Sequence, residues 1–232
     1  TLGWDWRDKM EQDNLLTDPI LGLQSPTGFE RTDLPGLLAA LGDDRALSLP
    51  ALQRHQEDAF HIFLCYLAAA VLVRSDESGP AQDATFWRHG LRNLADEEGD
   101  HDGDSWRLTV DDPSLPGFMQ PPVPQRVDFQ RFKPKAETPD DLDRLITAKN
   151  HDVKSKRCAS AELEDWVYAL VSLQTMSGYG GRGYGKGGYY GIARMNSGAG
   201  SRPVVAVVPD STWSRRWRVD VRRLMGLREA LL

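Results

Sequence analysis

Between Leu52 and Arg74 the apolar residues Ala59, Phe60, Phe63, Leu64, Leu67, Ala70 and Val71 recur at helical spacing. Ser75 and Gly79-Pro80 supply a stop, so the spacing predicts a buried central helix. Leu34 to Leu41 reads as a short helix and Ala84 to Leu94 as an amphipathic one. An acidic loop follows, and then the strand-like run Trp106 to Val110. The first thirty residues mix Trp4, Trp6, Pro19, Gly22, Pro26 and Gly28 with short apolar pieces, which suits turns and short strands. Between Pro113 and Pro139 the prolines are too dense for regular structure, and a long ordered loop or hinge is expected. Pro139 to Thr147 opens like a helix. Ser160 to Met176 reads as another, with Ser160 in the N-cap position. Tyr189 to Met195 and Pro203 to Val208 are expected to pair as a hairpin around Asn196 to Ser201. Ser211 to Leu232 closes as a basic helix. The pattern therefore predicts an α+β fold: mixed helices and short antiparallel strands around a central buried helix.

Composition sets the scale. The 232 residues allow one large or two small domains. With 40% hydrophobic residues and seven Trp there is material for a core, while 27% charged residues and a mean hydropathy of -0.48 point to a soluble chain. Cys65 and Cys158 stand far apart with no C-x-x-C pair, so neither a disulfide framework nor a cysteine-rich zinc site is expected. The longest apolar run, Ile62 to Val73, falls short of the roughly 20 residues that span a bilayer. A cytoplasmic location without membrane contact follows as the expectation.

The net charge of -6 taken alone argues against a nucleic-acid partner. Its distribution reverses that inference. Residues 1–112 carry 9 Lys and Arg against 22 Asp and Glu, net -13, whereas residues 113–232 carry 19 against 12, net +7. Such asymmetry points to a polyanion-facing surface on the basic part, or to two separately solvated faces. The chain divides accordingly into an acidic N-terminal half (1–112), a basic segment (113–208) and a basic C-terminal helix (209–232).

The sharpest local feature is the tract Ser177 to Gly191, rich in Gly and Tyr and carrying Arg182 and Lys186. Ten of the chain's 21 glycines lie between Gly178 and Gly200. Without Cβ atoms the backbone can approach a groove or a phosphate closely, the two cations supply charge, and tyrosines can stack on sugars or bases. A solvated loop is the alternative. A P-loop fits poorly, because no Ser or Thr follows Lys186 and the tract leaves a helix instead of entering one. A second basic cluster, Lys149 to Arg157, has the composition for phosphate contacts with one or two groups able to read base edges. In the C-terminal helix, Arg215, Arg216, Arg218, Arg222 and Arg223 surround Trp213 and Trp217. They form either a phosphate-gripping face or an amphipathic helix packed on its own core.

Catalytic patterns are absent from the sequence. Asp100, Asp102, Asp104 and Asp111 match calcium-loop positions, but Ser105 stands where that loop requires Gly. The five histidines form no H-E-x-x-H motif, and there is no Gly-x-Ser-x-Gly elbow. Neither a cofactor nor a catalytic residue is expected.

Several segments, in order, resemble the N-terminal domain of CasA, the large subunit of the type I-E CRISPR Cascade surveillance complex. Asn14-Leu15-Leu16-Thr17-Asp18-Pro19 is similar to the family's opening Asn-Leu-Leu segment, with Ile20 where Trp is common. Gly117-Phe118-Met119-Gln120 is similar to its Pro-Phe-Met-Gln element, with Gly117 in place of Pro. Ala148-Lys149-Asn150 lies at the place of the family's loop that approaches the PAM, the short DNA motif beside the target. The helix ending at Met176 and running into Gly178-Tyr179-Gly180-Gly181 resembles its helix and glycine loop. Family members continue into a C-terminal helical bundle, and many carry a C-x-x-C where this chain has only Cys158.

The resemblance implies a DNA-binding subunit without enzymatic activity. Asn150, Gly178, Gly180 and Gly181 would face the PAM, and the charge argument adds Lys154, Lys156, Arg182 and Lys186 as phosphate contacts. The minor groove presents a degenerate pattern, so backbone approach reads width and acceptors while guide RNA pairing reads the target. The implied partners are target double-stranded DNA, guide RNA, other Cascade subunits and a recruited or fused nuclease. Two other classes stay open: a stand-alone RNA- or single-strand-binding protein using the Gly/Tyr/Arg tract, or the DNA-recognition part of a larger enzyme.

Overall fold

The computed structural model describes residues 13–95, 101–112, 114–120, 122, 138–142, 161–176, 184–185, 188–189 and 211–227. The architecture is α+β. Residues cluster into two compact units, one of 1–51, 61–109 and 207–232, the other of 52–60 and 110–206.

In the first unit, β1 (Leu21–Ser25) and β2 (Gly28–Thr32) form an antiparallel hairpin, with Leu21 opposite Thr32 and Ser25 opposite Gly28. Gly28 has φ +130°, a conformation that favours glycine at the end of the two-residue connection. On the other edge of β1, Gln24 N donates to Ser48 O, and Leu47 N donates to Gln24 O. Helix α1 (Leu34–Gly42) starts where the Asp33 carboxylate accepts from Gly36 N at 2.7 Å, with Pro35 in the first turn. It is buried on nearly every side.

Helix α2 spans Glu57–Arg74, five residues later in its start than the apolar pattern predicts. Its buried face agrees in part, since Ala59, Phe60, Leu64 and Val71 are buried as the pattern predicts. His61, Leu64, Cys65, Ala68 and Leu72 lie in the core, while Phe63, Leu67 and Ala70 are only half-buried. The helix is apolar almost all round, so periodicity alone does not select which side turns inward. Helix α3 (Ala84–Ala95) is started by the Asp83 carboxylate, which accepts from Phe86 N at 2.8 Å, and turns Trp87, Gly90 and Leu91 inward. A Cβ on Gly90 would come within 2.2 Å of Val71 Cγ1, so glycine lets α3 lie close against α2 at that point.

A 3₁₀ turn (His101–Trp106) follows. The strand expected at Trp106 to Val110 is absent; only Arg107 forms an isolated bridge, to Asn14. Leu15 N donates to Trp106 O and Leu108 N to Asp13 O, each at 3.1 Å, and past this single bridge a side chain takes over. Buried Asp13 accepts from Thr109 N at 2.9 Å and from the Thr109 hydroxyl, and pairs with Arg107 at 3.1 Å. Asn14 closes the same corner, accepting from Leu16 N and donating to Gly103 O.

In the second unit lie the short helix α4 (Pro139–Leu142), helix α5 (Leu163–Met176) and a small hairpin of β3 (Tyr184–Gly185) and β4 (Gly188–Tyr189). Of the helix expected at Pro139 to Thr147, residues past Leu142 lie outside the described residues. So does Ser160; the described start of α5 is capped by Asp165, whose carboxylate accepts from Glu162 N at 2.9 Å, one half of a capping box. Phe60 and Tyr168 meet edge to face at 4.9 Å between ring centres. Tyr189, expected to open a later hairpin, instead pairs with Tyr184. The rest of the expected hairpin, through Val208, lies outside the described residues.

Helix α6 (Trp213–Met225) returns to the first unit. Thr212 caps it, and its inner face of Ser214, Trp217 and Val221 is buried. Among the described residues no helix is long and apolar enough to cross a membrane.

Candidate nucleic-acid interface

The Gly117-Phe118-Met119-Gln120 element folds as a tight turn in which Gly117 and Gln120 exchange backbone hydrogen bonds at 3.1 and 2.9 Å. Phe118 is buried and anchors it. Met119 has φ +56°, a left-handed conformation unusual outside glycine. Gln174, buried in the last turns of α5, donates its side-chain amide to the Met119 carbonyl at 2.8 Å. The turn is thereby tied to the helix that leads into the Gly/Tyr tract.

Within the tract, the described backbone is the β3–β4 hairpin, with Gly185 opposite Gly188 and two residues between them. Asn150, Lys154, Lys156, Gly178, Gly180, Gly181, Arg182 and Lys186 all lie outside the described residues.

The arginines of α6 are described. The helix is docked through Trp213 N to Leu47 O, Ser214 N to Ala46 O, and the Ser214 hydroxyl, which accepts from Ala46 N at 2.9 Å. The edge-to-face pair Trp87 and Trp217, at 6.1 Å, closes the contact. Arg218 pairs with Asp44 at 3.0 Å and Arg223 with Asp220 at 3.2 Å, leaving Arg215 and Arg222 exposed. No protein-family model, curated protein or solved structure matches this chain.

One constellation escaped the reading of motifs. His61 Nε2 lies 2.9 Å from Asp220 Oδ2 and 3.5 Å from Cys65 Sγ, with Trp213 edge-on to the imidazole at 5.9 Å. The residue types are those of a cysteine nucleophile with its base and carboxylate, yet the geometry is wrong. A relay needs the thiol on one ring nitrogen and the carboxylate on the other, whereas here both meet Nε2. Burial, reinforced by the Asp220 charge, pushes the Cys65 thiol up to about 12, so no thiolate forms near neutrality. The cluster is a structural knot between α2 and α6. His61 and Cys65 are four apart on one helix, a spacing visible in sequence, but Asp220 is 159 residues away and no motif links it. Among the described residues, no three His, Cys, Asp or Glu side chains converge to hold a metal ion.

Proposed function

We propose that this chain is a CasA-type large-subunit N-terminal domain of a type I-E CRISPR Cascade complex, acting in the cytoplasm in antiviral defence. It recognises the PAM of double-stranded target DNA and helps start R-loop formation with the guide RNA. The observation that carries this reading is the bond from Gln174 to the Met119 carbonyl. It joins two segments that resemble the family independently in sequence, the Gly117–Gln120 turn and the helix running into the glycine tract.

In this reading Asn150, Gly178, Gly180 and Gly181 approach the minor groove, where the absence of side chains lets backbone donors reach base acceptors. Lys154, Lys156, Arg182 and Lys186 hold phosphates. The chain performs no bond cleavage, which falls to a recruited or fused nuclease, and the other Cascade subunits position the guide RNA.

The test is the affinity of the assembled complex for duplex targets with native and scrambled PAM sequences. Affinity is expected to fall about ten-fold or more for each altered critical base pair; equal affinity sinks the reading. A second reading, stand-alone binding of RNA or single strands, draws on the register that sets Tyr184 opposite Tyr189 in a glycine-rich hairpin. Binding of single-stranded RNA by the isolated chain, without Cascade partners, would favour that alternative.

A further inference from the structure

We infer that the outer face of α6 is a second nucleic-acid contact, one that grips the phosphate backbone without reading sequence. It goes beyond the proposed PAM site, lies in the other structural unit, and stands or falls separately from it.

The helix has five Arg and one Asp in thirteen residues. It belongs to a unit whose residues total 14 Lys and Arg against 21 Asp and Glu, so this is a basic stripe on an acidic body. Helix stability does not account for the stripe. Arg222 and Arg223 in the last turn suit the helix dipole, but Arg215 and Arg216 occupy the first turn, where the dipole disfavours cations and no acidic residue is present.

Internal pairing does not account for it either. Asp220, the helix's own carboxylate, is engaged by His61 and by Arg223, and Arg218 is engaged by Asp44. Among the described residues, Arg215 and Arg222 have no carboxylate partner. Seven residues apart on one side of the helix, they are separated by about 10.5 Å along its axis, roughly three nucleotide steps of a strand.

The chemistry of the face selects its occupant. The helix's inner side, with Trp217 and Val221, is already buried in the unit, and a single exposed Val219 on its outer side makes no apolar face to insert into a lipid surface. Between the two arginines the only large hydrophobic the stripe exposes is Val219, with no aromatic anchor of the kind enriched in protein interfaces. Separated guanidinium groups on a rigid, well-docked helix match a run of phosphates.

The experiment measures anisotropy of fluorescein-labelled duplex DNA of random sequence against the full chain, over a range of salt. For the double variant Arg215→Ala/Arg222→Ala, binding is expected to weaken about ten-fold, with the slope of log affinity against log salt reduced by about 2. The Arg215→Lys/Arg222→Lys pair should retain the slope. Unchanged affinity and slope in the alanine variant overturn the inference. So does binding to polyglutamate or to phosphatidylserine vesicles that depends equally on both arginines. Random-sequence DNA makes the result independent of PAM recognition, so failure of either proposal leaves the other to be judged on its own data.

Discussion

Gln174 reaches from the end of α5 to the Met119 carbonyl, a hydrogen bond spanning 55 residues of sequence in which a buried amide satisfies the backbone of a residue held at a left-handed φ. Replacing Gln174 by Met keeps the volume of the side chain and removes the donor. The carbonyl then loses this partner in a part-buried setting, so the variant is expected to lose about 1 kcal/mol. Denaturant unfolding measures this; a loss within error of zero would show that the bond does not hold the turn. Met119→Gly should act the other way, relieving roughly 1 kcal/mol of backbone strain at the same turn.

Gly90 makes a prediction of opposite character. A methyl group there meets Val71 at a distance that ordinary contact does not permit, so Gly90→Ala is expected to destabilise by about 1–3 kcal/mol despite alanine's better helix propensity. If the clash is the cause, Val71→Ala should restore part of the loss. A double-mutant cycle reads the coupling directly, and strictly additive effects would assign the cost elsewhere.

Two helix starts were legible from the apolar pattern, Leu34 and Ala84, which the structure caps with Asp33 and Asp83; the last helix begins at Trp213, two residues after the expected Ser211. Legibility failed where the pattern carried no contrast. Helix α2 is apolar almost all round, and its inward face is selected by what packs against it, not by its own period. The 106–110 segment has strand-like residues, but its backbone pairing with residues 13–15 stops after one bridge, and at Thr109 the Asp13 side chain accepts in place of a backbone carbonyl. In the glycine tract, alternation is invisible because glycine has no side chain to alternate, and the Tyr184–Tyr189 pairing went unforeseen. The tie between Gln174 and Met119 depends on tertiary proximity, which local sequence does not encode. The candidate PAM-facing residues rest on glycine spacing, charge and family resemblance alone, and lie outside the described residues.

Cys65 gives a pH prediction. Its thiol ionises near 9 when exposed and is held protonated to about 12 by burial. Between those values the unfolded chain has released the proton and the folded chain has not. The folded state binds more protons, so stability falls as pH rises from about 9 toward 12, by up to about 1.4 kcal/mol per unit. Below 9 the contribution is fully present. Melting temperature followed from pH 8 to pH 11 should therefore drop more steeply in the native protein than in Cys65→Ala, which lacks the group. Parallel curves would contradict the burial assignment. In the same folded protein the Cys65 thiol should resist alkylation near neutral pH and react once denatured.

The glycine tract offers the most direct test of the proposed role, because steric and electrostatic effects can be separated at one position. Gly181→Ala adds only a methyl group, whereas Gly181→Asp adds a methylene and a charge that phosphates repel. If the backbone at Gly181 lies on the floor of a minor groove, both changes obstruct the approach, and the aspartate should be worse, weakening target binding by about ten-fold or more. Were the tract only a solvated loop, neither change would matter. Lys186→Ala probes the phosphate contact separately: it should lower the salt slope by about 1 while leaving the preference between native and scrambled PAM intact. A gel-shift titration of the assembled complex on both targets gives these quantities together. Equal binding by native and Gly181→Asp complexes refutes the groove assignment, and a Lys186→Ala complex that loses PAM preference would move that residue from holding the backbone to reading the motif.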